Sequence, residues 1–282
     1  MIAGSASSLI ERVVLSPEQF RRDYLARHRP VVLAGLGARW VEKWSLERIK
    51  QRFGDRPIEA DTEAFYGDDR RKHTLPFADL IDSVLAGSRT YRLQLIDFFQ
   101  RFPELQAELD ADLYYEPYLR RKLFANGLWI APAGNLSDFH HDFRLDNFNV
   151  QIDGRKRFLL VAPDQYPFLY PWRFGLSPID PFAPDLQRFP AFARATVHEA
   201  VLEPGDVIYI PQYWWHRVWA LAPSLNLNTF VWGELSPWTT TRGMPALARA
   251  VFLALGFQST SRLLEKIQPL YEKLVDRPEP KP

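Results

Sequence analysis

Phe148-Asn-Val-Gln-Ile-Asp-Gly-Arg-Lys-Arg-Phe-Leu-Leu-Val-Ala162 is the stretch whose reading decides the fold. Two runs rich in β-branched and aromatic residues flank Asp153-Gly154, the dipeptide best suited to a tight hairpin turn. A two-residue turn sets Gln151 opposite Lys156 and projects Asn147, Asn149, Gln151 and Lys156 from one face. That face would otherwise be the apolar lining of a barrel. A lysine buried there implies an enclosed ligand with a carboxylate, because an unpaired buried ammonium is costly. A one-residue slip in register would instead turn the same side chains to solvent.

The same texture continues on both sides. Short apolar runs punctuated by Gly, Pro, Asn and Asp predict strands at 128–131, 139–142, 148–152, 155–162, 196–202, 207–210, 215–220 and 225–232. Eight short strands suit a jelly roll. The insert 163–194, rich in Pro and Phe, reads as a surface excursion, and long inserts of this kind often serve as lids or binding segments.

Before this core, Ser16-Pro17-Glu18-Gln19 predicts a capped helix carrying Phe20, Tyr24 and Leu25 and ending before Pro30. A short buried strand follows from Pro30. A second helix starts at Ser45 and stops at Gly54, and a third runs from about Pro76 to Leu85. Residues 90–96 alternate like a strand, and 98–118 read as irregular helix broken at Pro103. Beyond Pro237, helical spacing returns at 244–255 and 261–274, offering an amphipathic pair to the barrel or to a second subunit as a homodimer. The expected fold class is therefore mainly β with flanking helices. Its expected domains are an N-terminal helical and strand elaboration over 1–127, a jelly-roll core over 128–236, a helical pair over 237–275 and a flexible tail over 276–282.

Composition narrows the chemistry. The 282-residue chain has no cysteine, so disulfides, thiolate metal sites and cysteine nucleophiles are excluded, and any metal must use His, Asp or Glu. A net charge of +1 gives no reason to expect a nucleic-acid partner or a polybasic membrane anchor. The start lacks a basic stretch followed by an apolar run, and no apolar stretch is long enough to span a bilayer, so a cytoplasmic enzyme is the expectation.

Six histidines are present, and two have ligand-like spacing. On a strand, residues two apart share a face, so His140 and Asp142 point together while His141 points away. The third ligand must return from a separate segment. Pro204-Gly-Asp-Val-Ile-Tyr-Ile-Pro-Gln-Tyr-Trp-Trp-His216 supplies a turn, a buried strand and a stop at Pro211 before His216. His198 competes but has no adjacent turn or matching carboxylate. Two imidazoles and one carboxylate can hold one face of a metal and leave the other open, as oxygen chemistry requires, although ligand type alone does not select iron over manganese or zinc.

These segments resemble the Jumonji C, cupin-like iron(II) and 2-oxoglutarate-dependent oxygenases. The similarity is carried by Asn135-Leu-Ser-Asp-Phe-His-His-Asp142, Asn147-Phe-Asn-Val-Gln-Ile-Asp-Gly-Arg-Lys-Arg-Phe158 and Pro204 to His216, and runs from about Tyr91 to Trp232. It is nearest to the subgroup containing the asparaginyl hydroxylase that inhibits hypoxia-inducible factor. The resemblance implies a double-stranded β-helix core in which His140, Asp142 and His216 hold Fe(II) as metal and catalytic residues. It further implies that Lys156 binds the distal carboxylate of 2-oxoglutarate, that Ser137 and Tyr91 contact the same carboxylate, and that Asn147 and Asn228 lie beside the cosubstrate, with Asn226 as the alternative on the same strand face. One departure concerns spacing: Phe143, Arg144, Leu145 and Asp146 separate Asp142 from Asn147, one residue more than is common in the family. The extra residue is expected to bulge the rim that faces substrate.

The expected activity is a dioxygenase that uses O2 and 2-oxoglutarate to hydroxylate a C–H bond of a peptidyl or protein side chain, releasing succinate and CO2. Phe168, Tyr170, Trp172 and Phe174 are candidates to meet such a substrate, or else pack the outer wall. A small-molecule or natural-product hydroxylase is the alternative, and a non-catalytic binding module the further one, which the intact set His140, Asp142, His216 and Lys156 argues against.

Overall fold

The structure, a computed structural model, describes residues 6–62, 71–95, 98–108, 123–142, 144–171 and 175–233. The chain opens with strands β1 (Ala6–Leu9) and β2 (Arg12–Val13) and helix α1 (Pro17–Phe20), which continues as a π-helical turn over Arg21–Leu25. Ser16 caps α1 as expected: its hydroxyl accepts the Gln19 N–H, while the Gln19 side chain accepts the Ser16 N–H. Then come β3 (Val31–Leu33), α2 (Ala38–Val41) and α3 (Leu46–Phe53), the last capped by Ser45 and stopped at Gly54. A hairpin of β4 (Pro57–Thr62) and β5 (Arg71–Pro76) precedes α4 (Phe77–Leu85), β6 (Leu93–Leu95), α5 (Phe98–Arg101) and α6 (Pro103–Glu108). The break between the last two falls at Phe102-Pro103 because proline offers no N–H to an α-helical ladder.

The remaining strands are β7 (Leu123–Ala131), β8 (Phe139–His141), β9 (Leu145–Asp153), β10 (Lys156–Val161), β11 (Leu176–Ser177), β12 (Thr196–Leu202), β13 (Val207–Ile210), β14 (Trp215–Ala220) and β15 (Ser224–Trp232). They assort into two sheets of order β1-β12-β10-β14-β8-β11 and β2-β3-β13-β9-β15-β7-β6. This is the jelly-roll arrangement, with segments from the N-terminal third adding β1 to one sheet and β2, β3 and β6 to the other.

The assortment corrects the hairpin reading. β9 pairs with β13 and β15, whereas β10 pairs with β12 and β14, so Asp153-Gly154 carries the chain from one sheet to the other. Gln151 lies opposite Asn226, not Lys156. The corner is specific to its residues: Asp153 Oδ2 accepts the Leu46 N–H and Oδ1 accepts the Gly154 N–H. Gly154 itself sits at φ +69°, where a Cβ would fall 2.0 Å from the Pro223 carbonyl oxygen.

Strand parity then divides each sheet. Phe139, Leu159, Val161 and Trp215 face outward and pack with Leu169, Ile179, Phe189 and Phe192 of the insert. Phe158, Leu160, Ile208 and Ile210 belong to a second cluster with Val32 and Leu202. The outer face of the other sheet, through Phe148, Val150 and Tyr209, is covered by Phe20, Trp40, Trp44 and the α3–α4 pair. Phe168 and Tyr170 are partly buried and pack against the insert cluster on the outer wall. Trp172, Phe174 and everything after Gly233, including the predicted helical pair, lie outside the described residues.

Candidate metal centre and ligand cavity

His140 and His216 are direct cross-strand neighbours on β8 and β14, and their rings stand 4.3 Å apart between centroids. Asp142 follows β8, and its Oδ2 is 3.8 Å from His216 Nε2. Donor atoms of the three residues all lie within 4.8 Å of one another. His141 points the other way and packs its ring against Trp215 and Tyr213.

The surroundings decide which nitrogen each imidazole offers. His140 Nδ1 lies 2.9 Å from the Asp138 carbonyl oxygen, and His216 Nδ1 lies 3.0 Å from that of Trp214. A carbonyl can only accept, so both Nδ1 atoms are protonated and both Nε2 lone pairs are left for a metal. Burial, reinforced by the neighbouring His216, holds His140 down at about 4, which keeps it neutral at physiological pH. Asn147 donates its Nδ2–H to Asp142 Oδ2 at 3.0 Å and so orients the carboxylate. That contact also fixes the amide, leaving Asn147 Oδ1 buried beside the triad with no partner among the described residues.

A cavity of about 180 Å³ runs from this triad between the sheets, larger than the roughly 150 Å³ that admits a benzene-sized guest. Its far end is polar. Lys156, 6% exposed, donates to Asn226 Oδ1, and the Asn226 amide in turn donates to Asn149 Oδ1 at 2.7 Å and Asn228 Oδ1 at 2.9 Å. Asn149 and Asn228 thus each accept one bond from Asn226 and carry amide N–H donors beside it. Burial alone pushes the Lys156 ammonium down to about 7. A site built from donors and a desolvated cation fits an anionic ligand, and neutral imidazoles with a carboxylate fit a divalent metal.

Of the residues singled out from sequence, His140, Asp142, His216, Lys156, Ser137, Asn147 and Asn228 all line this cavity. Ser137 has its hydroxyl committed to backbone: it accepts the Val218 N–H and donates to the Asp138 carbonyl. Tyr91 is not in the lining. It packs against the N-terminal core near His73, while its neighbours Arg92 and Gln94 face the cavity. Trp129, Asn135 and Phe230 also line it and were not anticipated; parity along β7 and β15 would have exposed Trp129 and Phe230. Between Asp142 and Asn147 the backbone of Arg144 takes φ +56°. Its carbonyl accepts the Gly233 N–H, and that of Asp142 accepts the Tyr213 N–H.

Two facing sheets with this cavity agree with a comparison of the sequence against domain families, in which the model of the cupin-like domain matches residues 17–232. The chain belongs to the cupin-like domain family. Among relatives of this cupin-like chain, tRNA wybutosine-synthesizing protein 5 of Gallus gallus is 28% identical over 271 residues, covering 83% of this chain and 84% of its own. Lysine-specific demethylase 8 of Xenopus tropicalis is 31% identical over 229 residues, covering 77% of this chain and 51% of the relative. HSPB1-associated protein 1 of Bos taurus is 38% identical over 135 residues, covering 45% of this chain and 28% of the relative. This chain thus spans about half of the demethylase and under a third of the last protein. No described helix is long and apolar enough to cross a membrane.

Proposed function

We propose that this cupin-like protein is an iron(II)- and 2-oxoglutarate-dependent dioxygenase that hydroxylates a C–H bond of a peptidyl or protein side chain and releases succinate and CO2. The observation that carries the reading is the pairing of a three-ligand group with a buried cation at the two ends of one cavity. Lys156 lies four residues along β10 from Leu160, the partner of His216, which is about 13 Å of strand.

Bound iron and 2-oxoglutarate would supply oxygen activation coupled to oxidative decarboxylation. The chain's own part is placement. His140, Asp142 and His216 would hold the metal, their imidazole Nδ1 protons being parked on backbone carbonyls. Asn147 orients the Asp142 carboxylate, and Lys156 with Asn149, Asn226 and Asn228 would anchor the distal carboxylate. The apolar walls at Phe158, Ile210, Val218 and Phe230 exclude water.

The name of the lysine demethylase relative supports a protein side chain as substrate. A second reading, a small-molecule or nucleoside hydroxylase, is favoured by the relative named for tRNA wybutosine synthesis and by the packing of Phe168 and Tyr170 against the insert cluster, which takes up part of their surface. Purified protein with iron(II) and 2-oxoglutarate, incubated with fractionated extract and followed by mass spectrometry, separates the two. An added oxygen on a peptide supports the first reading, and one on a metabolite or nucleoside the second. Absence of any 2-oxoglutarate-dependent oxidation together with no succinate sinks both.

A further inference from the structure

The metal ligands come from two separate segments, β8 with its continuation to Asp142 and the start of β14 at His216, and a turn between β13 and β14 joins them in space. β13 ends at Ile210, which pairs with Asn147 of β9. The next residue, Pro211, has no N–H with which to extend the ladder. The Gln212 N–H is turned onto a side chain instead, the carboxylate of Asp146, at 2.8 Å from Oδ1, and both residues are buried. Asp146 and Asn147 are consecutive on β9, so their side chains leave opposite faces: Asn147 reaches Asp142 Oδ2 inside the cavity, and Asp146 reaches the turn. The turn so held makes two further contacts to the ligands. Tyr213, at φ +65°, gives its N–H to the Asp142 carbonyl at 3.1 Å, and the Trp214 carbonyl takes the Nδ1 proton of His216 at 3.0 Å. A tyrosine in the left-handed region is held there against its own preference, so something around it must fix the turn.

We propose that Asp146 is a positioning residue for the metal centre: its carboxylate clamps the turn over residues 211–214 and so sets the 3.8 Å spacing between Asp142 Oδ2 and His216 Nε2. The proposal rests on the reading of His140, Asp142 and His216 as metal ligands, and it gives Asp146 a part distinct from that of Asn147. Asn147 orients one carboxylate; Asp146 ties together the two chain segments that carry Asp142 and His216. A carboxylate suits the task because a hydrogen bond to an ionised acceptor is shorter and stronger than one between neutral groups. The Gln212 side chain has no room to swing the turn away, since a Cβ on Gly233 would stand 2.6 Å from its Cδ. Tyr209 is fully buried on the same side, and burial first, then the Asp146 charge, pushes its phenol up, so it remains a neutral O–H near the carboxylate. Without the Asp146 acceptor, the buried Gln212 N–H loses its partner, Tyr213 is released from its left-handed backbone, and the carbonyls of Asp142 and Trp214 move with the turn.

Titration of the 282-residue chain with cobalt(II), whose visible absorption reports coordination geometry, tests the assignment. Asp146→Ala is expected to weaken cobalt(II) on the order of 10- to 100-fold and to change its spectrum, whereas Asp146→Asn, which keeps an oxygen acceptor for the Gln212 N–H, should stay within a few-fold of wild type with the same spectrum. Gly154→Ala controls for stability alone: it strains the corner between the sheets, so it should lower the unfolding midpoint and leave cobalt(II) affinity and spectrum as they are. If Asp146→Ala does not fold, Asp146→Glu carries the same test, because it keeps the charge but shifts the oxygens by one methylene, and it should weaken cobalt(II) and change the spectrum. Wild-type affinity and spectrum in the alanine variant, or in the glutamate variant where that one is used, overturns the proposal. So does an asparagine variant as impaired as either. Failure of the wild-type chain to bind cobalt(II) overturns the metal-centre reading itself, which is a different result.

Discussion

Replacing Lys156 with methionine should make the ligand-free protein more stable, by an amount that shrinks as pH rises. The ammonium falls from an ordinary 10.5 to about 7 in the fold, and burial is the whole cause. Because the folded value lies below the unfolded one, the unfolded chain binds the extra proton between pH 7 and 10.5, and wild-type stability rises with pH across that window. At about 1.4 kcal/mol per pH unit, the cost of the buried ammonium is about 4–5 kcal/mol at pH 7 and about 3 kcal/mol at pH 8.5. Methionine removes that cost, keeps most of the volume, and gives up the contact to Asn226, whose Oδ1 then lacks a donor at about 1–3 kcal/mol. The lost contact does not vary with pH. The stability gap between variant and wild type should therefore close by about 1.5 kcal/mol from pH 7 to pH 8.5. Urea unfolding of both chelator-treated proteins at several pH values measures it. A gap that stays flat with pH, or a variant less stable than wild type at pH 7 with a parallel profile, refutes the idea that Lys156 is held as a strained cation awaiting an anion.

Other perturbations probe the remaining parts of the account. His140→Ala should abolish tight manganese(II) binding while His141→Ala leaves it within a few-fold, because only the former faces Asp142 and His216; equal losses in equilibrium dialysis would contradict the parity argument. Asn147→Ala should lower metal affinity about 10- to 100-fold without unfolding the protein, since it removes the hydrogen bond that orients Asp142. Gly154→Ala should cost about 2–4 kcal/mol in a denaturation experiment, because φ +69° and the Pro223 carbonyl both reject a Cβ. A loss below about 0.5 kcal/mol would mean the corner between the sheets is far softer than described.

The strands were legible wherever alternation and punctuation coincided, and β12, β13 and β14 begin and end where the pattern places them. β1, β2 and β11 were not, since two to four residues are too few to show a period and their pairing is decided by distant partners. Asp153-Gly154 carries a strong local signal for a turn, but no local signal says which sheet the next strand joins, and that choice moved Lys156 from the neighbour of Gln151 to the partner of Asn226 across the cavity. His140 was separable from His141 by parity alone. The same parity applied to Thr90-Tyr-Arg-Leu-Gln94 would have set Arg92 and Gln94 against Tyr91, had the inward face been known in advance. Asn147, read as lying beside the cosubstrate, lines the cavity and also reaches Asp142 with its amide, a contact for which the sequence carries no local signal.

The most direct test of the account is succinate formation. The 282-residue chain loaded with iron(II) and supplied with 2-oxoglutarate under air should release succinate and CO2 in equal amounts, and His216→Ala should release none. Protein that retains iron yet forms no more succinate than the His216→Ala variant would contradict the claim that this cavity is built for oxygen activation.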